Sequence, residues 1–455
     1  MSGTVKTSRG VLLQHYLGAR WRLARLQGEA LAHYQDRLAR QVVVHAAARS
    51  PYYAAHFAGY DLADWRSLPI TDKRGMMADF TAFNTQGVPG DLAMRTALHA
   101  EQNRDFRPQV PGTDLTVGLS SGTSGHRGLF LVGPRERAAW AGALLARVLP
   151  GPLLRKGGWR VALFHRSGSN LYQSLASRVL SFCFFDLMTP LAEAVAALNE
   201  SSPHLLVGPP TLLSLLAEER RAGRLRICPE KIISVAEVLE PQDAERIAAA
   251  FDVPIVHQIY QCTEGLIGVT CESGALHLQE DIVAIQAEPL EPGAAEGGGM
   301  RATPVVTDLW RRVQPILRYR LNDVLTLAAE TALPCVCGSR FRRILQIEGR
   351  CDDVLQFPCS GGRELRSFFP DTLRRAVLLA DACITDYRVL QDTPGRVRVY
   401  LSCLPESGFG TAAAAVRAGI ARTVAFHGCR AEQIVVEQGL PPEPAAGKRR
   451  RVRRI

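Results

Sequence analysis

The sequence predicts an α/β protein: a large N-terminal domain with mainly parallel sheets flanked by helices, plus a small α+β C-terminal domain. Three observations carry this. Short apolar runs alternate with helical patterns through the middle of the chain, the order that builds a parallel sheet. After Gly349 the texture changes to strands, one long helix and a further strand. The 455 residues also exceed what one compact core accommodates. The domains are set at residues 1–349 and 350–455.

From the N-terminus, apolar residues recur three and four apart over residues 12–48, among them Leu13, Tyr16, Leu17, Trp21, Ala24, Leu31, Tyr34 and Leu38. That spacing predicts an amphipathic helix, weakened at Gly28 and stopped by Pro51. Thr71 is the expected N-cap of another helix, and Pro134 opens the next. Strands follow at 159–164, 205–207, 231–235 and 254–260, with helices at 211–219 and 242–251 between them. Residues 288–299, rich in proline, glycine and alanine, read as an exposed excursion. In the second domain, strands are expected at 383–390, 396–401 and 433–437, with a helix at 411–426. No internal repeat is evident.

An apolar share of 47% is ordinary for a folded protein and argues against disorder. No run of about 18 apolar residues and no signal-peptide pattern is present, so the expected address is the cytoplasm, with no membrane span. Eleven scattered cysteines suit reduced thiols or metal ligation better than a disulfide framework. The net charge of +10 is concentrated in Lys448, Arg449, Arg450, Arg451, Arg453 and Arg454. A solvated terminus around one useful lysine is favoured over a nucleic-acid-binding role. The oligomeric state cannot be read from these patterns.

The segment richest in chemistry is Ser120-Ser121-Gly122-Thr123-Ser124-Gly125-His126-Arg127-Gly128. Small residues let backbone N–H groups approach anionic oxygens, hydroxyls add donors, and Arg127 adds a fixed positive charge. Such a loop suits the phosphates of ATP, although its spacing is not that of a Walker P-loop. The lesser alternative for the motif alone is an ordinary flexible loop. It is followed by Tyr260-Gln261-Cys262-Thr263-Glu264, by Arg318-Tyr319-Arg320-Leu321-Asn322-Asp323, by Gly349-Arg350-Cys351-Asp352-Asp353 and by Gly447-Lys448.

In this order the motifs resemble those of the adenylate-forming superfamily, in the branch of phenylacetate-CoA ligase and the synthetases that adenylylate the deazaflavin coenzyme. The phrases Ser234-Val235-Ala236-Glu237-Val238-Leu239 and Gln258-Ile259-Tyr260-Gln261-Cys262-Thr263-Glu264-Gly265 resemble a bacterial subgroup of such enzymes. The resemblance implies that Glu264 holds Mg²⁺ against the phosphates and that Thr263 donates to a phosphate oxygen. It implies that Tyr260 stacks on adenine, that Asp323 accepts from the ribose hydroxyls and that Arg350 contacts the nucleotide. By the same resemblance Asp352 is the hinge of a mobile small domain, and Lys448 reaches the α-phosphate. Ala236-Glu237 resembles the loop that walls the acyl or aryl group. One departure stands out: His126 and Arg127 replace the usual Pro and Lys, and Arg differs from Lys in geometry and hydration.

Cys271 and His277, followed by Cys335 and Cys337, supply three thiolates and an imidazole. Four protein donors make a closed tetrahedral zinc site of structural type; the alternative is a set of reduced, half-buried cysteines. The resemblance favours zinc. The leading expectation is therefore an ATP- and Mg²⁺-dependent ligase that activates a small-molecule carboxylic acid, then transfers it to coenzyme A or another thiol. A nucleotidyltransferase leaving AMP on a hydroxyl, and a non-catalytic nucleotide-binding protein, are the competing expectations. The apolar and aromatic residues near the expected acid pocket suit an aryl or acyl group without choosing between them.

Overall fold

The computed structural model describes residues 2–103, 105, 109–120, 128–165, 180–187, 189–290, 299–329, 332–360, 364–368, 370–441 and 451–455. The chain divides into two compact units, Met1–Leu321 with Leu327–Leu345, and Asn322–Thr326 with Gln346–Ile455.

In the first unit the strands Leu180–Asp186, Trp159–His165, Leu205–Gly208, Lys231–Val235 and Val256–Cys262 lie side by side in that order, all parallel. Such strands are covered on both faces and read as continuous apolar runs, as in Leu205–Gly208, buried at every position. The helices Pro210–Arg221 and Pro241–Phe251 each begin on proline, whose missing N–H has no partner to lose in the first turn. Leu213, Leu216, Ile247 and Phe251 from these helices, with Leu198 of the helix Leu191–Ser201, pack on Ala162, Phe164, Leu206 and Ile232 of the strands. Each fully buried leucine or isoleucine there contributes ~2 kcal/mol.

After Val256–Cys262 the sheet turns antiparallel, through Gly265–Thr270, Leu276–Leu278 and then Arg343 and Ile344. The strands Val283–Pro289 and Met300–Asp308 form a second antiparallel pairing, joined by the short strand Tyr319–Arg320. Thr116–Leu119 and Leu129–Val132 make a separate hairpin. The α/β class is as expected, with this antiparallel continuation added.

The N-terminal helix expected over residues 12–48 is instead two helices, Ser2–Arg25 and Gly28–Arg49, because Gly28 adopts a left-handed φ of 50°. Pro51 stops the second helix and opens a third, Pro51–His56, capped by Ser50, whose Oγ accepts from Tyr53 N at 3.2 Å. Thr71 does not cap the next helix. Asp72 does, its carboxylate accepting from Gly75 N at 2.8 Å, which also suits the positive end of the helix dipole. Thr71 is buried and pairs with Tyr319 instead.

The N-terminal helix packs against Pro134–Val148. At their crossing a Cβ on Gly142 would lie 2.2 Å from Leu12 O, so only glycine admits this backbone approach. Beside it the fully buried Asp281 receives Arg147 Nη2 at 3.0 Å and Arg22 Nε at 2.8 Å.

The second unit has a four-stranded sheet in the order Gln433–Gln438, Arg396–Cys403, Ile384–Thr393, Val452–Arg454. Leu373 and Val377 of the helix Pro370–Leu378, and Val416, Ile420 and Val424 of Phe409–Phe426, cover Tyr387, Val389, Val399 and Leu401. Of the solvated basic tail expected from the sequence, residues 448–450 lie outside the described residues, and its last residues form the strand Val452–Arg454. Val452 is buried opposite Val389, and Arg451 reaches Asp386 at 3.0 Å and lies over the Tyr387 ring. The run of charge had obscured this short β segment, in which Arg451 is largely enclosed and Arg454 is exposed. Of the expected excursion at 288–299, residues 291–298 lie outside the described residues; Glu288 and Pro289 end a strand.

Candidate active site

The expected phosphate loop connects the two strands of the hairpin. Ser121, Gly122, Thr123, Ser124, Gly125 and Arg127 lie outside the described residues, as does Lys448. Ser120 and Gly128 frame the loop's mouth: Ser120 N donates to Gly128 O at 2.8 Å, and Gly128 N donates to Ser120 Oγ at 2.7 Å. Lys73 Nζ donates to the same hydroxyl at 3.3 Å. A Cβ on Gly128 would stand 3.0 Å from the Lys73 stem, so glycine keeps this ammonium close to the mouth.

Thr263 and Glu264 occupy the tight corner between Val256–Cys262 and Gly265–Thr270. Thr263 Oγ1 donates to Glu264 Oε2 at 2.9 Å. Arg311, buried, joins this corner to the hairpin: Nη1 donates to Thr263 O at 2.7 Å and Nη2 to Leu131 O at 3.2 Å. The Arg311 turn is itself held by Asp308, whose carboxylate accepts from the backbone N–H groups of Trp310 and Arg311 at 2.8 and 3.0 Å. Burial raises the pKa of this enclosed Asp308, and the Arg311 charge works against that rise.

Tyr319 faces the same corner. Burial first, then the Glu264 carboxylate, hold its phenol well above the usual tyrosine pKa, so it stays protonated. Its neighbour Arg318 has a left-handed φ of 47°, and Ala236 one of 70°. The two other described non-glycine residues with positive φ, Ser202 and Asp252, are helix C-caps, where that geometry is routine. Strain at Ala236 and Arg318 has no such local excuse, and strained backbone concentrates at functional sites.

Ala236 and Glu237 follow the carboxyl end of Lys231–Val235. Glu237 N donates to Val235 O at 2.9 Å, and the Glu237 carboxylate accepts from Thr211 Oγ1 at 2.7 Å. Tyr260 lies near the carboxyl end of the adjacent parallel strand, half-buried. The first unit thus gathers Ser120, Gly128, Thr263 and Glu264 through Lys73 and Arg311, with Ala236, Glu237 and Tyr260 at strand ends. Asp323 and Arg350 belong to the second unit, where their side chains stand 3.8 Å apart. Position 352 falls in the 3-10 turn Cys351–Asp353.

Lys73, Arg311 and Tyr319 were not singled out as site residues from the sequence. For Lys73 a signal existed. The chain has only five lysines, Lys6, Lys73, Lys156, Lys231 and Lys448, in a composition dominated by arginine, so each retained lysine is informative. Arg311, one of many arginines, offered no such mark.

Cys271, His277, Cys335 and Cys337 come together with all their donor atoms within 4.8 Å of one another. Cys271 and Cys335 Sγ are 3.9 Å apart, and Cys337 Sγ is 3.6 Å from His277 Nε2. Tetrahedral zinc with Zn–S bonds of about 2.3 Å requires S···S edges of about 3.8 Å, so the donors fit. His277 Nδ1 lies 2.7 Å from Phe341 O and must donate to it, which turns the lone pair of Nε2 toward the thiols. Burial opposes it, yet hydrogen bonds led by Ser273 bring the Cys335 thiol down to about 6, whereas burial pushes Cys337 up to about 12.

No family model matches the chain, and no curated protein is significantly similar to it in sequence. Solved structures are similar in fold. One is 2-hydroxyisobutyryl-CoA ligase in the postadenylation state with R3-HIB-AMP, at TM-score 0.67 and 20% identity, covering 95% of this chain and 91% of that one. The chain has the fold of adenylate-forming ligases. Also similar is the acyl acid amido synthetase AtGH3.15 in complex with 2,4-DB, at TM-score 0.57, 14% identity and coverage of 93% and 89%. The anthranilate CoA ligase AuaEII with anthranoyl-AMP follows at TM-score 0.50, 14% identity and coverage of 73% and 66%. Among the described residues, no helix is long and apolar enough to cross a membrane.

Proposed function

We propose that this protein is a cytoplasmic ligase that activates a carboxylic acid with ATP, forming an acyl- or aryl-adenylate and pyrophosphate, and passes the acyl group to coenzyme A. The observation that carries this reading is the junction at Arg311, which ties the Ser120–Gly128 hairpin to the Thr263–Glu264 corner, with Lys73 at the hairpin mouth. The fold supports it, since a structure of 2-hydroxyisobutyryl-CoA ligase in that fold contains 2-HIB-AMP and CoA.

In this reading the acid's carboxylate attacks the α-phosphorus as the bond to pyrophosphate breaks, so anions must be brought together and their charge neutralised. Ser120, Ser121, Gly122, Thr123, Ser124, Gly125 and Gly128 cradle the phosphates, with Arg127 and Lys73 as the cationic partners. Lys448 approaches the α-phosphate. Glu264 fits a magnesium ion because its carboxylate is partly exposed at the strand corner and is oriented by the Thr263 hydroxyl. A magnesium ion held by Glu264 would supply positive charge to offset that of the phosphates. Thr263 also donates to a phosphate oxygen, Tyr260 stacks on adenine, Ala236 and Glu237 wall the acid, Asp323 receives the ribose hydroxyls and Arg350 steadies the nucleotide. Asp352 is the hinge between domains 1–349 and 350–455. Zinc held by Cys271, His277, Cys335 and Cys337 has a structural role, since four protein ligands leave no position for water.

The test is isotope exchange between pyrophosphate and ATP across a broad panel of carboxylic acids, followed by mass analysis with coenzyme A. Acid-dependent exchange and an acyl-CoA product are expected. Silence across the panel, together with no magnesium-dependent ATP uptake in calorimetry, would end this reading.

A further inference from the structure

The second unit contains a pair of thiols that the proposed reaction does not use. Cys359 and Cys429 face each other across an isolated antiparallel bridge, their Sγ atoms 4.0 Å apart. The bonds flanking the bridge run from Ser360 N to Gly428 O and from Arg430 N to Pro358 O, both at 2.9 Å. This makes the two cysteines a non-hydrogen-bonded pair, the kind with the closer Cα separation of about 4.5 Å. A disulfide spans Cα separations of roughly 4.4–6.8 Å, so side-chain rotation closes the gap without moving the backbone.

Other contacts hold the thiols in place. Arg366, on the strand Leu365–Phe368, donates to His427 O, and the Phe368 ring meets the His427 ring edge-on at 5.4 Å. The hairpin that carries Arg366 and leads into Cys359 is therefore docked on the turn next to Cys429, which raises the effective concentration of one sulfur at the other. Among the described residues, the pair belongs to no group of three or more metal-binding donors, unlike Cys271 and Cys335, whose sulfurs are equally close. Cys359 is half-buried and Cys429 is almost fully enclosed. Burial, reinforced by the neighbouring Cys359, holds the Cys429 thiol above its usual pKa.

We propose that Cys359 and Cys429 form a redox-active dithiol that closes to a disulfide under a peroxide. The more accessible Cys359 thiolate attacks one peroxide oxygen, giving a sulfenic acid and releasing hydroxide, which takes up a proton as water. The Cys429 sulfur then displaces the sulfenic hydroxyl, forming the S–S bond, and its proton leaves with that hydroxyl as a second water. Two thiols and one hydrogen peroxide yield one disulfide and two waters. The cross-link closes a loop of 70 residues and ties the Leu355–Pro358 and Leu365–Phe368 hairpin to the turn after the helix Phe409–Phe426. A loop of that length stabilises chiefly by restricting the unfolded chain.

The test treats the full-length protein, with its metal left in place, with graded hydrogen peroxide, quenches with iodoacetamide and maps the peptides by mass. The expected product is a peptide pair joined through Cys359 and Cys429, two hydrogens lighter than its parts and released by dithiothreitol. The second unit's unfolding midpoint should rise by about 5 °C or more, and not in Cys359→Ser or Cys429→Ser. Recovery of both cysteines alkylated, their conversion to sulfinic acids without a link, or their linkage to other cysteines would overturn the proposal. Mapping of the unsubstituted protein decides this even if a serine variant fails to fold.

Discussion

Lys73 shows how much a single side chain gains from its position. Its ammonium hydrogen-bonds the Ser120 hydroxyl at the hairpin mouth, where a phosphate oxygen would compete for the same donor. Replacing it with alanine removes one charge-assisted contact, so the KM for ATP should rise about tenfold or more in the exchange assay. An unchanged KM would place Lys73 outside nucleotide binding. His257 tests electrostatics at the other end of its strand. Burial first, then the Lys231 ammonium, bring its pKa down from 6.5 to about 4. The unfolded chain therefore takes up a proton below pH 6.5 that the folded protein refuses until about pH 4. Stability should fall as pH drops through that window, by at most ~3 kcal/mol, less where solvent reaches the ring. Urea midpoints at pH 7 and pH 5 should converge in His257→Gln; an equal pH dependence in both proteins would contradict this.

At the scale of elements, buried charge fastens the N-terminal helices. Asp281 serves both Arg147 and Arg22, and Arg147 also bonds Gln279 and Ala19 O. Asp281→Ala leaves two guanidinium groups in low-dielectric surroundings without their counter-ion. The expected loss is about 3–5 kcal/mol, read as a lower denaturant midpoint, and a loss below 1 kcal/mol would show that water replaces the carboxylate. The C-terminal strand is a second case. Val452→Asp puts a charge into the core beside Val389, so the second unit should unfold at lower temperature while the first unit keeps its transition. Calorimetry resolves the two transitions, and an unaltered second transition would mean that the strand is dispensable.

Over the whole molecule, the Cys271, His277, Cys335 and Cys337 cluster joins distant segments of the first unit, and a metal bound there would have a measurable signature. One zinc per chain is expected by atomic emission, and a strong chelator should lower the melting temperature while any exchange activity of the chelated protein is lost only as it unfolds. Loss of activity before any unfolding would point to a catalytic metal instead. The fold class was legible because its evidence is local: the apolar runs at 159–164 and 231–235, Pro134 and the helical spacing at 211–219 and 242–251 mark their elements within a few residues. That Cys271, His277, Cys335 and Cys337 would cluster was legible too, since Cys and His are chemically distinctive wherever they stand. The break at Gly28 was only half legible, because helical spacing persists on both sides of it. The C-terminal strand was hidden because a run of arginines reads as solvated tail until a partner strand is known.

Taken alone, the amino-acid order determined the alternation of strands and helices, the sites of turns and caps to within a residue or two, and the residue types available for phosphate or metal chemistry. These depend on propensity and on residue type, both properties of short stretches. Only the tertiary structure decided that Arg311 stands between Leu131 and Thr263, that Tyr319 is buried beside Glu264, and that Cys359 meets Cys429. Those contacts join segments far apart in the chain, and no periodicity or spacing encodes which distant backbone a side chain will meet.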